Sequence, residues 1–301
     1  MVNLVIFWSV LVSLMISGLS SIFIVNRGLS PLKKFEHYLT KISPGRLNIR
    51  IPTQELPVEL ETLSKTQNAM LDRLDLGFQR LSEFSSDIAH ELKTPLSNMT
   101  TQTQVMLSAD RALAEYQDTL GSNLEELERI NKTINDILYL AKSENSLLYQ
   151  NNEMLNLSEE ISRLIEYHDI AGEEKGVSIH LKGQGELFYD KSMFQRVMNN
   201  LFTNAIRHAS PNSIIQVIIK QLDNELSIGV TNHGDTIPKE SLPFIFDRFY
   251  RADKSRVHTN SVGAGLGLPI TQSIIEAYGG TILAKSFDRS TEFWISFQKI
   301  T

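Results

Sequence analysis

Cysteine is absent from the 301 residues, which excludes a disulfide framework and a thiolate metal site and suits a reducing compartment. An excess of positive charge is also missing, because the formal net charge is -6. The sequence therefore offers no general basic surface and predicts no direct binding of nucleic acid. The charged and hydrophobic fractions of 21% and 42% are those of a folded protein, and 301 residues suggest about two domains.

Charged side chains are missing from residues 2–25, which are strongly apolar. A helix that rises about 1.5 Å per residue would carry this stretch across a hydrocarbon core about 30 Å thick. A secretory signal peptide is the alternative, but no basic region precedes the stretch, which is too long for one. Arg27, Lys33 and Lys34 follow, so the positive-inside rule places the N-terminus outside and the rest in the cytoplasm. We predict a transmembrane helix over residues 1–26, with the lipid bilayer as a partner.

Two helices joined by an extended connector are predicted next, over residues 27–80. Pro31 opens a short first helix that ends before residue 44, and prolines exclude helix from residues 47–57. A second helix begins near Val58. The arrangement resembles a HAMP linker, a parallel coiled coil that relays movement from a transmembrane helix. An amphipathic linker without a signalling role is the alternative.

A helical hairpin is predicted over residues 81–146, with its connection near residues 110–115. Each helix carries apolar residues at helical spacing: Phe84, Ile88, Leu92 and Leu96 on the first, and Leu120, Leu124, Leu127, Ile134 and Leu138 on the second. Neither helix can bury this stripe alone, so two hairpins are expected to pair as a four-helix bundle. The sequence therefore predicts a homodimer.

Strands and helices alternate over residues 147–301. Strands are predicted at residues 177–181, 214–220, 226–231, 281–285 and 293–297, and helices at 158–171, 192–208 and 269–278. The pattern predicts an α/β sandwich with antiparallel strand pairs beneath helices. The predicted fold class of the whole chain is α+β.

A candidate nucleophile, His90, stands on the first hairpin helix. A neutral imidazole is a good nitrogen nucleophile near neutral pH. Ile88 and Leu92 belong to the apolar stripe, so His90 should point away from it. Glu91 can accept a hydrogen bond from Nδ1 and leave Nε2 free to attack. Pro95 removes a backbone hydrogen bond and is expected to kink the helix after this turn.

The string from Phe84 to Ser97 resembles the H-box of sensor histidine kinases of the His-Glu-x-x-Thr/Asn-Pro type. This resemblance implies that His90 accepts a phosphoryl group and that Glu91 assists it. It implies that Thr94 positions water when the protein dephosphorylates its partner. The partner implied is the receiver domain of a response regulator, with an aspartate as the final acceptor.

Four further pieces resemble the N, G1, F and G2 boxes of the GHKL ATPases, which implies ATP and Mg²⁺ as cofactors. On one predicted helix, Asn200 and Asn204 share a face where their amide oxygens can coordinate Mg²⁺, while Arg207 and His208 contact the phosphates. Two polar residues on an exposed helix face are the alternative interpretation.

A glycine-rich string precedes the last predicted helix, where backbone N–H groups can hold phosphate. Its candidate binding residues are Gly263, Gly265, Gly267 and Leu268. A Rossmann motif is excluded because no parallel βαβ unit leads into the string, and a P-loop is excluded because Gly-Lys-Ser/Thr is missing. Upstream, residues 246–256 resemble the F-box and the start of an ATP lid, whose basic residues would meet the phosphates on closure: Arg251, Lys254 and Arg256.

The G1 piece departs from the family pattern Asp-x-Gly-x-Gly. Asn232 replaces the aspartate that accepts a hydrogen bond from adenine, Gly234 is kept, and Thr236 replaces the second glycine. Asn232 can still accept through its carbonyl oxygen, without charge, so weaker adenine binding is expected.

The change in the G1 string also indicates which subgroup of the sensor histidine kinases the chain resembles. The G1 variant, the F-box and the last glycine string together are similar to heavy-metal sensor kinases that answer copper or silver at a bacterial inner membrane. Such kinases also carry a further transmembrane helix and a periplasmic sensing domain outside these 301 residues, so the input signal stays open. Two rivals also stay open: a degenerate or phosphatase-dominant homologue with weak ATP binding, and a GHKL ATPase of the chaperone or mismatch-repair class.

Overall fold

The computed structural model describes residues 2–43, 45–53, 57–143, 151–222, 225–252 and 264–298. These residues form two compact units, Met1–Ala89 and His90–Thr301. Helix α1 spans Val2–Lys41, helix α2 spans Val58–Leu107 and helix α3 spans Leu113–Ser143. All strands lie within the second unit, in a two-stranded and a five-stranded sheet. The mixed helix and sheet content confirms the predicted α+β class.

Helix α1 is long and apolar enough to cross a membrane, by its length and composition. It runs through Pro31 without interruption, so the prediction of a separate short helix that begins at Pro31 was wrong. A proline costs its helix one backbone hydrogen bond, but it does not stop a helix that is already nucleated and 40 residues long. The segment predicted to cross the membrane and the helix that follows it are therefore one continuous rod.

Residues 47–53 after α1 are not helical, as predicted, and side chains from α2 hold them in place. Residues 54–56 of the predicted connector lie outside the described residues. Ile51 is buried, and its backbone N–H donates to Asn68 Oδ1 at 2.9 Å while its carbonyl accepts from Asn68 Nδ2 at 2.9 Å. Ser64 Oγ also donates to this carbonyl, at 3.3 Å. These bonds satisfy backbone groups that an extended segment cannot pair within itself.

The hairpin helices leave much of their predicted apolar stripe uncovered in the single chain. The exposed members are Leu96, Leu120, Leu124, Leu127, Ile134 and Leu138. In the C-terminal turns of α3, Tyr139 and Leu140 are buried in the core of the sheet domain. Asp136 lies 2.6 Å from the Arg196 guanidinium, which stacks over the Tyr139 ring, and burial raises the pKa of Tyr139 to about 12. The last turns of α3 are thus anchored to that domain.

Within its described residues, the sheet domain contains seven strands and three helices. In chain order these are β1 Asn152–Asn156, α4 Leu157–Glu173, β2 Ser178–Lys182, β3 Glu186–Asp190, α5 Lys191–His208, β4 Ile214–Gln221, β5 Glu225–His233, α6 Gly267–Ala277, β6 Thr281–Phe287 and β7 Ser290–Gln298. A 3₁₀ turn at Leu242–Phe244 follows β5. The five-stranded sheet has the order β2-β4-β5-β7-β6, and the small sheet pairs β1 with β3.

The five predicted strands and the three predicted helices are present within a few residues of their expected ends. Strands β1 and β3 were missed, and β2 pairs with β4 in parallel, not as part of an antiparallel pair. The parallel pairing follows from the connection, because the chain crosses from β2 to β4 through β3 and α5. The other three ladders of the main sheet are antiparallel as expected.

One face of the main sheet is buried under helices. Met198, Leu201 and Phe202 of α5 are fully buried and belong to one core with Ile215 of β4 and Ile228 of β5. At roughly 25 cal/mol per Å² of apolar surface, such burial is the main force that holds α5 on the sheet. The sheet therefore fixes the position of α5, which carries four of the predicted binding residues.

Asp190 caps the N-terminus of α5. Its Oδ1 accepts from the backbone N–H of Met193 at 3.1 Å and from Ser192 Oγ at 2.5 Å, and its Oδ2 accepts from the N–H of Asn151 at 3.0 Å. Burial alone would raise the pKa of this carboxyl, but these hydrogen bonds hold the pKa below its ordinary value of 3.8. The ionised side chain therefore stabilises the fold.

We expect Asp190→Asn to lower the free energy of unfolding by about 1–2 kcal/mol at neutral pH, because a weaker acceptor remains at the cap. A depressed pKa contributes stability above the unfolded value near 3.8, and this contribution is lost as the pH falls through the folded value. Urea unfolding of the unsubstituted protein and of Asp190→Asn, measured from neutral to acidic pH, should show the difference in their free energies of unfolding becoming smaller as the pH falls. Asp169→Asn, at an exposed position of α4, is the control. A difference that is independent of pH would contradict the assignment.

Candidate functional site

His90 lies on α2 with its side chain exposed to solvent, as predicted, and Glu91 beside it is half-buried. Thr94 Oγ1 donates to the His90 carbonyl oxygen at 3.2 Å, one helical turn back. Helix α2 continues through Pro95 to Leu107. The imidazole is therefore presented on a continuous helix, while its hydrogen bond to Glu91, the kink at Pro95 and the role of Thr94 with water stay predictions.

Asn200 on α5 holds the start of α6. Its Nδ2 donates to the Gly267 carbonyl oxygen at 3.1 Å and approaches Thr271 Oγ1 at 3.4 Å. Thr271, which is fully buried, donates to the same carbonyl at 2.9 Å. Because the amide nitrogen is used in this way, the Asn200 Oδ1 is the atom left for a cation. Asn204 lies one turn further along α5 and is half-buried.

Two arginines lie near each other at the end of α5 and after the 3₁₀ turn. Desolvation by the surrounding protein lowers the pKa of Arg207, although part of its side chain stays exposed, and the like charge of Arg251 lowers the pKa further. Two guanidinium groups placed together create a local positive potential that favours an anion with several charges. His208, also exposed, follows Arg207 in the last turn of α5.

Asn232 and Gly234 stand at the end of β5. Asn232 is buried, and its Nδ2 has no hydrogen-bond partner within the described residues. A Cβ atom at Gly234 would lie 1.8 Å from the His208 carbonyl oxygen, so only glycine fits between β5 and the end of α5. The Gly234 N–H donates to the Arg289 carbonyl at 2.8 Å, which ties this end of β5 to the turn before β7.

Thr236 has a structural role that the sequence did not reveal. Its Oγ1 accepts from the Arg289 N–H at 3.1 Å, and the next residue, Ile237, donates its N–H to Ser286 Oγ at 2.9 Å. The loop after Gly234 is therefore fastened by side chains at a position where a glycine would supply none. Thr236 thus restricts this loop through a specific side-chain hydrogen bond.

The glycine string leads directly into α6. Gly265 has φ of +67°, and a Cβ atom there would lie 2.9 Å from the backbone of Phe249. Phe249 itself has φ of 59°, and its N–H donates to the Gly265 carbonyl at 3.2 Å. Phe249 and Gly265 therefore both have a left-handed backbone conformation, and their backbones approach so closely that only glycine fits at position 265. Helix α6 begins at Gly267, inside the glycine string and before the predicted start at Pro269, and Leu268 in its first turn is half-buried against the core.

The predicted site residues fall into two groups. In the first group, Asn200 is bonded to Gly267 and Asn232 lies beside Gly234. The charge of Arg251 is near enough to lower the pKa of Arg207. Within the described ranges no hydrogen bond or ion pair joins His90 to any of them. Lys254, Arg256 and Gly263 lie outside the described residues. Thr271 was missed, although its position one turn after Gly267 on the same helix face was a usable signal.

Comparison with known proteins identifies three domain families along the chain. Residues 23–75 match the "HAMP domain", residues 80–146 the "His Kinase A (phospho-acceptor) domain", and residues 189–300 the "Histidine kinase-, DNA gyrase B-, and HSP90-like ATPase". The chain is 38% identical over 272 residues to the sensor histidine kinase CusS of Escherichia coli, covering 90% of this chain and 56% of that protein. It is 40% identical over 260 residues to the sensor protein CopS of Pseudomonas syringae pv. tomato, covering 86% and 53%.

The chain thus spans little more than half the length of the curated relatives it matches. Among solved structures, it is similar to histidine kinase ThkA in complex with response regulator protein TrrA. That similarity has a TM-score of 0.61 at 20% identity, over 78% of this chain and 66% of the other. At this identity it shows a shared fold.

Proposed function

The chain belongs to the sensor histidine kinases, and from this premise we propose that it transfers the γ-phosphoryl group of ATP to His90 and then to an aspartate of a response regulator. The observation that carries the proposal is the pairing of an exposed histidine on α2 with a second domain that offers an arginine pair and a buried amide. An acceptor and a donor on separate domains suit a reaction that depends on in-line positioning.

On the donor side, the arrangement of α5, β5 and α6 supports binding of ATP. Arg207 and Arg251 would neutralise the phosphates, the first N–H groups of α6 would donate to them, and Asn232 would face the base. Asn200 and Asn204 fit Mg²⁺ as amide-oxygen ligands, and the ion would help to neutralise the phosphate charge when bound. His208 would supply one more donor to the phosphates.

On the acceptor side, the chemistry rests on one new bond. The lone pair of His90 Nε2 attacks the γ-phosphorus, the bond from phosphorus to the bridging oxygen breaks, and ADP leaves with that electron pair. Glu91 would stabilise the positive charge on the imidazole through Nδ1 until the proton is lost. Thr94 would position water for a separate reaction, the hydrolysis of the phosphorylated partner.

A second copy of the chain is the proposed cover for the exposed stripe of α2 and α3. A four-helix bundle made of two hairpins would remove Leu120, Leu124 and Leu127 from water, which a single hairpin leaves exposed. Helix α1 would cross the bacterial inner membrane with the catalytic part in the cytoplasm. The resemblance of the G1 and F-box strings to heavy-metal sensor kinases supports copper or silver as the signal.

A phosphatase-dominant protein is the second candidate, and the altered G1 loop favours it. The loss of the G1 aspartate would weaken ATP binding, while Thr94 would be kept for hydrolysis. The hydrogen bond from Arg289 to Thr236 counts against a collapsed nucleotide site. Titration of Mg-ATP onto the full chain separates the two, because a kinase should bind it in the micromolar to millimolar range.

The proposed transfer is tested by mapping the label directly. The full chain in detergent micelles or nanodiscs is incubated with γ-labelled ATP, and the modified peptide is identified by mass spectrometry. We expect one phosphoryl group at His90 in a linkage that acid cleaves and base preserves, as a phosphorus–nitrogen bond requires. A phosphoester on serine or threonine, or no label while ATP is bound, would contradict the proposal.

A further inference from the structure

Asn232 ends an otherwise apolar row on β5. Leu226, Ile228 and Val230 precede it on the same face of the strand, and all three are buried beneath the helices. Asn232 is only 2% exposed, so an amide occupies a place where the row would continue as an aliphatic side chain. A buried amide is costly to the fold unless its groups are paired.

The amide of Asn232 lacks a partner for its nitrogen within the described part of the chain. Its Nδ2 is buried without a hydrogen-bond partner there. Gly234 lies next to it, since a Cβ atom at that glycine would be 3.5 Å from Nδ2. Because the glycine has no side chain, nothing from that position covers the amide. Buried polar groups without a partner are rare in folded proteins, and one beside a candidate ligand site is explained by the ligand.

An amide carries one acceptor and one donor group, and which of its ends is nitrogen follows from its partners. Adenine presents an amino donor at its six-position beside the N1 acceptor. Guanine presents a carbonyl acceptor at the same position beside the N1–H donor. A carboxylate, which only accepts, matches the six-position of adenine and repels that of guanine.

We propose that Asn232 pairs with a purine base through both its carbonyl and its amino group, and that the nucleotide site therefore accepts guanine as well as adenine. The inference rests on the proposed function, since it concerns the base of the same nucleotide. A half-turn of the amide exchanges donor and acceptor and suits either base. The neutral residue in the G1 loop thus changes the selectivity of the site instead of only weakening it.

The test compares binding of two non-hydrolysable analogues, Mg-AMPPNP and Mg-GMPPNP, to the full chain in nanodiscs by equilibrium dialysis. We expect the dissociation constants of the unsubstituted chain to differ by less than about tenfold. Asn232→Asp should prefer the adenine analogue by about 10- to 100-fold, the usual discrimination by one paired base contact. Gln216→Glu, at an exposed position of β4, controls for the added charge and should leave the ratio unchanged.

The ratio of the two constants is insensitive to a general loss of affinity or of folded protein, because both analogues are measured on one variant. Strong rejection of the guanine analogue by the unsubstituted chain, with ATP still labelling His90, would overturn this inference alone. An unchanged ratio in Asn232→Asp would also overturn it. Binding of neither analogue, with no label at His90, would overturn the proposed function together with it.

Discussion

Replacement of His90 with glutamine is expected to reduce labelling of the full chain by γ-labelled ATP to background, at least about 100-fold below the unsubstituted protein. Glutamine keeps a helix-compatible polar side chain on the exposed face of α2 but offers no nucleophilic nitrogen, because its amide lone pair is delocalised. Nucleotide affinity should be unchanged, since no described hydrogen bond or ion pair joins His90 to the candidate nucleotide residues.

His180→Gln is the matched control for this substitution. His180 is also exposed, on β2, and its replacement should leave labelling intact. Incorporation and analogue binding are measured on the same preparation, so that a loss of label can be separated from a loss of ATP. Label that persists in the His90 variant, or that disappears in the His180 variant, would mean that another histidine is the acceptor.

The presentation of His90 was predictable because it depends on local periodicity. Ile88 and Leu92 are half-buried while His90, two residues from each, is exposed, because residues two positions apart in a helix do not share a face. The main sheet was equally predictable, since every second residue in the middle of β4 is buried, and β5 buries Leu226, Ile228 and Val230 at the same spacing. Both signals come from residues that stand close together in the sequence.

Strands β1 and β3 could not be predicted in this way. Each has only five residues, and Met154 and Phe188 pair across the ladder with both side chains exposed, so neither strand has a clean alternation. Their pairing joins segments that are far apart in sequence, and it depends on where α4 and α5 are packed. The parallel register of β2 with β4 has the same origin.

Helix α1 shows how chain context outweighs a local signal. Pro31 is a normal first residue for a helix, and its prediction as a helix start relied on that preference. The structure instead joins residues before and after it in one helix, because the apolar residues 2–25 already form helical turns that reach the proline. A continuous helix from the membrane segment into the HAMP region would carry a displacement directly into the connector region held by Asn68.

The nucleotide side was predicted in its residue types but not in its contacts. The sequence placed Asn200 on one face of α5 with Asn204, yet it did not show that the Asn200 amide nitrogen is bound to Gly267. The sequence also gave no sign that Asn232 is buried with an unpaired nitrogen, since this depends on how β5 meets the helix layer. Such details require the packed tertiary structure.

Substitution of Gly234 with alanine should have the second large effect, because the new methyl group meets a backbone oxygen that cannot rotate away. Its Cβ atom would lie 1.8 Å from the His208 carbonyl, so either β5 or the end of α5 must move. We expect the catalytic domain to lose about 1–3 kcal/mol of stability, and Mg-ATP affinity to fall about 100-fold as Arg207 and Asn232 shift out of register. Thermal unfolding and equilibrium dialysis on the full chain measure the two effects.

Gly121→Ala is the matched control for the added methyl group. Gly121 lies within α3, and a Cβ atom there would have no described neighbour within 4 Å, so this change should be neutral or slightly stabilising. In Gly234→Ala, loss of ATP binding should accompany loss of label, whereas His90→Gln should lose label and keep binding. This contrast locates the phosphoryl donor in the sheet domain and the acceptor on α2. Normal ATP affinity in Gly234→Ala would place the nucleotide away from the junction of β5 and α5.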